Sequence, residues 1–150
     1  MSVHEPLPFA SEVSPGSIAP PQTLGERVDA AFAWCALLTV DVVLKTAGFD
    51  RFLRLVRKCP VLAARRPHPE DFRRITLAVD RAATRYFKRA WCLQRSAANV
   101  CLLRLRGIEA ELVIGARKMP FAAHAWVEIG GQVINNHPIV QQRYAVLERC

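Results

Sequence analysis

Residues 91–107 read WCLQRSAANVCLLRLRG. The period is helical: Leu93, Ala97, Val100 and Arg104 recur three or four residues apart and share one face. Arg104 and Arg106 occupy the last turn, where cations suit the negative end of the helix dipole, and Gly107 can take the left-handed conformation that closes a helix. Cys92 therefore falls in the first turn, where the positive pole and unpaired backbone N–H groups suit a nucleophilic thiolate.

Downstream of Gly107 the period changes from helical to alternating. Ile108, Ala110, Leu112 and Ile114 share one side of a predicted strand ending near Gly115. Pro120-Phe121 marks a turn. Residues 122–129 then form a second strand, with His124, Trp126 and Glu128 on one face. Gly130-Gly131 signals a hairpin, 132–136 a third strand, and His137-Pro138 its end. Residues 139–150 read as a short helix or irregular segment.

Upstream, residues 1–22 hold five of the ten prolines and read as a flexible or extended tail. Thr23 and Glu26 form the T-x-x-E capping box of a helix starting at Leu24. From Ala30 to Leu44 that helix is apolar nearly all round, which predicts an interior position. Gly48 ends it. A second helix follows, with Phe49, Phe52, Leu53 and Val56 on one face and Pro60 as its limit. After an exposed connection at 65–69, residues 70–88 form a third helix around Phe72, Ile75, Val79, Ala82 and Tyr86. Helices first and an antiparallel meander last predict one α+β domain over 23–150.

Composition bounds what such a domain does. A chain of 150 residues, 51% hydrophobic and 23% charged, is long enough and apolar enough for one packed core. The net charge of +8 is mostly arginine on helical faces. No RNA-binding aromatic signature or zinc-finger spacing accompanies it, so nucleic acid is not the expected partner. Five cysteines without paired spacing, and no export signal, predict a reduced, cytoplasmic protein. The longest apolar run, 30–40, falls short of the ~20 residues of a bilayer span. There is no phosphate-binding glycine loop, and Cys92, Cys101, His124 and His137 lack the short paired spacings of zinc ligands. Neither cofactor nor metal is expected.

A helix-start cysteine followed by a strand histidine supplies the parts of a thiol acyl-transfer site. His124 is the candidate base, because His4 lies in the tail, His68 is flanked by prolines and His137 sits at a strand end. The imidazole needs an orienting group. With a strict two-residue turn at Gly130-Gly131, Asn135 shares the His124 face; with a bulge or longer turn, Asn136 does.

The motifs W-C-L-Q-R-S-x-x-x-x-x-L-L-R-x-R-G-I, L-V-I-G, P-F-x-A-H-A-W-V-E-I-G-G-x-V-I-N and P-x-V-x-x-R-Y-x-V-L, spread over 53–147, resemble the lasso peptide biosynthesis B2 proteins. These are transglutaminase-like cysteine proteases that remove the leader from a ribosomally made precursor. The resemblance implies a papain- or transglutaminase-like core with Cys92 as nucleophile and His124 as base. The family's third residue is an aspartate, and the matching position here is Asn136, an amide that can hold the ring but adds no negative charge. The implied partners are the lasso precursor, a separate leader-recognition protein (the residues before Thr23 are too short and polar for such a domain) and the ATP-dependent lasso cyclase that uses the freed amine. Two rivals share the same residues: a transglutaminase-like acyltransferase, and a catalytically weak scaffold in the same pathway.

Overall fold

The computed structural model describes residues 23–64, 66 and 68–150. The predicted tail, with Arg65 and Pro67 of the connection, lies outside the described residues. Thr23 opens helix α1 (Leu24–Ala47) with a reciprocal box: its Oγ1 accepts from the Glu26 N–H (3.3 Å), and Glu26 Oε2 accepts from the Thr23 N–H (2.9 Å). The inner face of α1 buries Ala33, Leu37 and Val40. The opposite face corrects the expectation of an all-round buried helix, because Leu24, Val28, Phe32 and Val42 are exposed. By length and composition alone, this 24-residue helix could cross a membrane, which the shorter run 30–40 did not suggest. Its buried Asp29 and Asp41 nevertheless tie it into the helical layer, through Arg74 and Arg106 and through Lys88.

Helix α2 (Phe49–Lys58) turns off directly after Gly48 and buries Phe52, Leu53 and Val56, leaving Phe49 exposed. Helix α3 (Pro69–Thr84) starts on a His68 cap whose Nδ1 accepts from the Glu70 N–H (3.4 Å). It stops four residues short of the expected Lys88. The Arg85 N–H bonds back to Ala82, which tightens the last turn, and the chain then leaves the helical path while Tyr86 stays in the core.

Helix α4 (Cys92–Leu105) is the centre of the packing, with Ala97, Ala98, Val100 and Leu103 wholly buried. It ends as its sequence demands. The Ile108 N–H donates to Leu103 O (3.0 Å) and the Gly107 N–H to Arg104 O (2.9 Å), around a Gly107 φ of 79°. A Cβ at Gly107 would stand 2.5 Å from Ala63 O, so close backbone approach as well as conformation requires glycine. Arg104 does more than answer the dipole. It is buried, donating to Ala110 O (2.8 Å) and Val56 O (2.6 Å), and so fastens α2 and the approach to the sheet onto α4.

The sheet has the order β3-β2-β1-β4 and is antiparallel throughout, formed by β1 (Glu111–Arg117), β2 (Ala122–Ile129), β3 (Gln132–Val133) and β4 (Ala145–Arg149). A short helix α5 (Val140–Arg143) precedes β4. Two expectations change here. β3 ends at Val133 instead of 136, and the last residues form an edge strand beside β1 that no local alternation announced. The main core lies between the helices and one sheet face, and includes Leu112, Ala125 and Val127. Trp126, Val113 and Val140 fill the other face.

Candidate active site

Two elements meet at the site. The start of α4 is held from α1: Gln94, buried in the third helical position, accepts from the Trp91 N–H through Oε1 (2.7 Å) and donates through Nε2 to Asp41 (2.9 Å). Trp91 itself is extended, so the helix begins sharply at Cys92, which is half-buried. One turn later, Ser96 Oγ donates to the Ala125 carbonyl of β2 (3.0 Å) and accepts from Asn135 Nδ2 (2.9 Å). Asn135 Oδ1 in turn accepts from the Val127 N–H (2.8 Å). Cys92 and Ser96 are four residues apart and share a helix face. Gly107, just past the other end of α4, lines a cleft of about 600 Å³ with Ile129 and Gly130. The helix and β2 therefore run in the same sense, with Cys92 at the His124 end and the cleft at the far end.

His124 lies opposite Gly115 in β1, on the sheet face it shares with Trp126 and Glu128. Its Nε2 is 2.6 Å from Asn136 Nδ2. Gly130 and Gly131 make the strict two-residue turn that pairs Ile129 with Gln132. Asn136 is nonetheless the residue at the ring: backbone pairing with β2 continues through Ile134 N–H to Val127 O (3.0 Å), and the Asn135 side chain is then spent on the Val127 N–H and on Ser96. The structure thus joins His124 to Asn136. Cys92 lies toward the same end of the α4–β2 pair but packs with the core on the helix side of the sheet, whereas His124 stands on the opposite face with Trp126. Among the described residues, no hydrogen bond links the Cys92 sulfur to the imidazole.

Tyr144 packs against both rings of that face, 5.4 Å from His124 and 6.3 Å from Trp126 between centroids, with the Arg117 guanidinium 5.6 Å from its own ring. Trp126 is fixed by Nε1 donating to Glu128 Oε1 (2.7 Å). Glu128 is buried, yet Arg149, Trp126 and Gln141 together hold its carboxyl below the usual range against the cost of burial. Burial pushes the His124 imidazole below its ordinary value, which favours the neutral base. Among the described residues, no group of three or more His, Cys, Asp or Glu side chains could hold a metal ion. Tyr144, Ser96 and Gln94 are the supporting residues that sequence reasoning missed. Ser96 carried a usable signal, being one turn from Cys92 on its face, whereas Tyr144 reaches the site only through the unexpected β4 edge.

A helix that begins at a cysteine and packs on an antiparallel sheet carrying a histidine and its amide partner has the parts of an acyl-transfer site. The transglutaminase-like superfamily matches residues 22–149, most of the chain. The chain belongs to that superfamily. It is also 48% identical over 56 residues to the Microcin J25-processing protein McjB of Escherichia coli, a stretch that is 37% of this chain and 27% of that relative. The chain thus aligns with about a quarter of the relative's length. No solved structure matches.

Proposed function

We propose that this transglutaminase-like protein is a cysteine peptidase that removes the leader from a lasso peptide precursor in the cytoplasm. Cys92 is the nucleophile, His124 the base and Asn136 the group that orients it. The observation that supports the reading most is the His124–Asn136 contact on the strand that Ser96, one turn after Cys92, bonds to. The name of the E. coli relative, a processing protein for a microcin, belongs to that protein; peptide processing is carried to this chain as part of the proposal.

In the proposed reaction, His124 takes the Cys92 proton and the sulfur attacks the last leader carbonyl. Backbone N–H groups of the first α4 turn, left without intrahelical partners, face the developing oxyanion. His124 gives its proton to the departing core amine as the C–N bond breaks. Water, deprotonated by the same imidazole, then cleaves the thioester and releases the leader acid. A separate leader-recognition protein presents the precursor, and an ATP-dependent cyclase consumes the new amine.

The test is mass spectrometry of a lasso precursor incubated with a recognition partner and either the wild type or Cys92→Ala. Leader and core masses with the wild type alone support the peptidase. A product joined to an added amine would identify an acyltransferase instead, and intact precursor with a folded, partner-bound wild type would identify a scaffold.

A further inference from the structure

The outer face of α1 is a continuous apolar stripe. Leu24 is 78%, Phe32 59%, Val42 48% and Val28 45% exposed. Val28, Cys35 and Val42 stand seven residues apart, and so do Phe32, Thr39 and Thr46; all six are exposed. Both threonines spend their hydroxyls inside the helix, Thr39 on Cys35 O (2.9 Å) and Thr46 on Val42 O (2.7 Å), so they show methyl groups outward. The two rows contain no Asp, Glu, Lys or Arg. A seam repeating every seven residues fits another helix, and an acidic peptide or nucleic acid would find no charge to pair with there.

We propose that this stripe is the homodimer interface of the protein, formed by α1 packing against α1 of a second copy in antiparallel fashion. The seam suits a two-fold axis. Cys35 lies eleven residues after Leu24 and twelve before Ala47, at the middle of the 24-residue helix. An axis at Cys35 sets each Val28 against Val42 of the other copy, seven residues to either side, and brings the two Cys35 side chains together. The exposed side chains of the stripe supply on the order of 600 Å² per copy, close to the ~800 Å² that one partner gives to a stable interface. The site at Cys92 and His124 is unaffected in this arrangement, since α1 meets α3 and α4 with its other face.

The experiment is sedimentation equilibrium of the full chain at micromolar concentration, for the wild type and for Phe32→Glu and Thr39→Lys, with circular dichroism to confirm that each is folded. The wild type should sediment at twice its 16.8 kDa chain mass. Either charged variant should weaken association by about tenfold or more. A bis-maleimide should link wild-type copies and fail with Cys35→Ala. In a Cys35→Ala background, copies carrying Val28→Cys should link to copies carrying Val42→Cys and not to themselves, which separates antiparallel from parallel pairing. A monomeric wild type overturns the proposal, as does a dimer indifferent to both charged variants. So does a monomer that binds phosphatidylglycerol vesicles through Phe32, or one that dimerises only after residues 1–22 are removed, since lipid or the chain's own start would then cover the stripe.

Discussion

Asn136 presents its amide nitrogen, not its oxygen, to His124: Nδ2 lies 2.6 Å from Nε2, while Oδ1 accepts the neighbouring His137 N–H at 2.8 Å. A donor at Nε2 occupies that nitrogen's lone pair and offers nothing to an imidazolium, so for His124 to take the Cys92 proton at Nδ1 the amide must turn and accept from Nε2–H through Oδ1. A carboxylate at the same position would accept from Nε2–H in both the neutral ring and the cation. Asn136→Asp is therefore expected to raise kcat several-fold, and Asn136→Ala to lower it by roughly tenfold, toward the small side of acid–base contributions. Steady-state cleavage of a precursor by the three proteins checks both. Equal kcat in all three would remove Asn136 from the mechanism.

Burial of the same ring sets a pH dependence. Burial lowers the His124 pKa, so the neutral base persists below the ordinary value near 6.5. The acid limb of kcat/KM should accordingly fall below pH ~6.5 in the wild type and shift upward in Asn136→Asp, whose negative charge favours the imidazolium. For stability the sign is the same. A histidine with a depressed folded pKa contributes stability that is present above its unfolded pKa and lost as pH falls through the folded one. A pH–rate profile of both proteins measures the first effect, and an acid limb that does not move would disprove the coupling.

Ser96 bonds the cysteine helix to the histidine strand, which makes it a test of positioning. Ser96→Ala leaves the Asn135 amide without its acceptor, removes the bond to Ala125 O and opens the Val127–Asn135 relay to rearrangement. Unsatisfied buried groups of this kind cost about 1–3 kcal/mol. We expect a lower urea midpoint and a reduced kcat with little change in KM, since the loss displaces Cys92 relative to His124 without touching bound peptide. Unchanged kcat in a destabilised protein would show Ser96 to be structural only.

How far these relations could be read beforehand depends on their range. The α1 capping box, the Gly107 stop, the start of α4 and the limits of β2 follow from residues three or four apart, and each is found where the sequence puts it. The His124–Asn136 pairing did not follow from hairpin register. The turn is strict, but the competition between ladder and side-chain bonds is decided by Ser96, 39 residues before Asn135. β4 was invisible for a similar reason: its outward residues are mostly exposed, and only pairing with β1 makes it a strand. The exposed stripe of α1 is apolar enough to read as core, and hydropathy cannot distinguish a second buried face from an uncovered one.

Acid should unfold the protein through the carboxylates of α1. Lys88 first, with Lys45 and Gln94, holds Asp41 below its ordinary range. At Asp29, burial works against the charge, but Arg106 and Arg74 outweigh it. Lowered carboxyl pKa values give stability that is present above the unfolded value near 3.9 and lost as pH falls through the folded values. Urea midpoints should thus drop steeply below about pH 4. Asp41→Asn, already lacking the charge, should be less stable at pH 7 and show a shallower drop. An identical acid slope in the variant would mean that Asp41 does not carry this linkage.

Gly115 sets how close the aromatic face can lie to the strand that holds His124. A Cβ there would stand 2.9 Å from Trp126 Cη2 and 3.0 Å from Ala145 O, so the indole and β4 cannot both keep their places. The indole is pinned by Glu128, itself bonded to Arg149 at 2.7 Å and Gln141 at 3.0 Å, which leaves displacement of β4 and Tyr144 as the easier response. Overpacking of this kind costs about 1–3 kcal/mol. Gly115→Ala should lower the thermal midpoint and loosen Tyr144 from the His124 ring, with a fall in kcat. Tyr144→Phe keeps the ring and should retain activity, whereas Tyr144→Ala should reproduce the Gly115→Ala loss. Stopped-flow and steady-state assays on the three variants separate the cases. Full activity in Tyr144→Ala would show that the ring packing does not position His124.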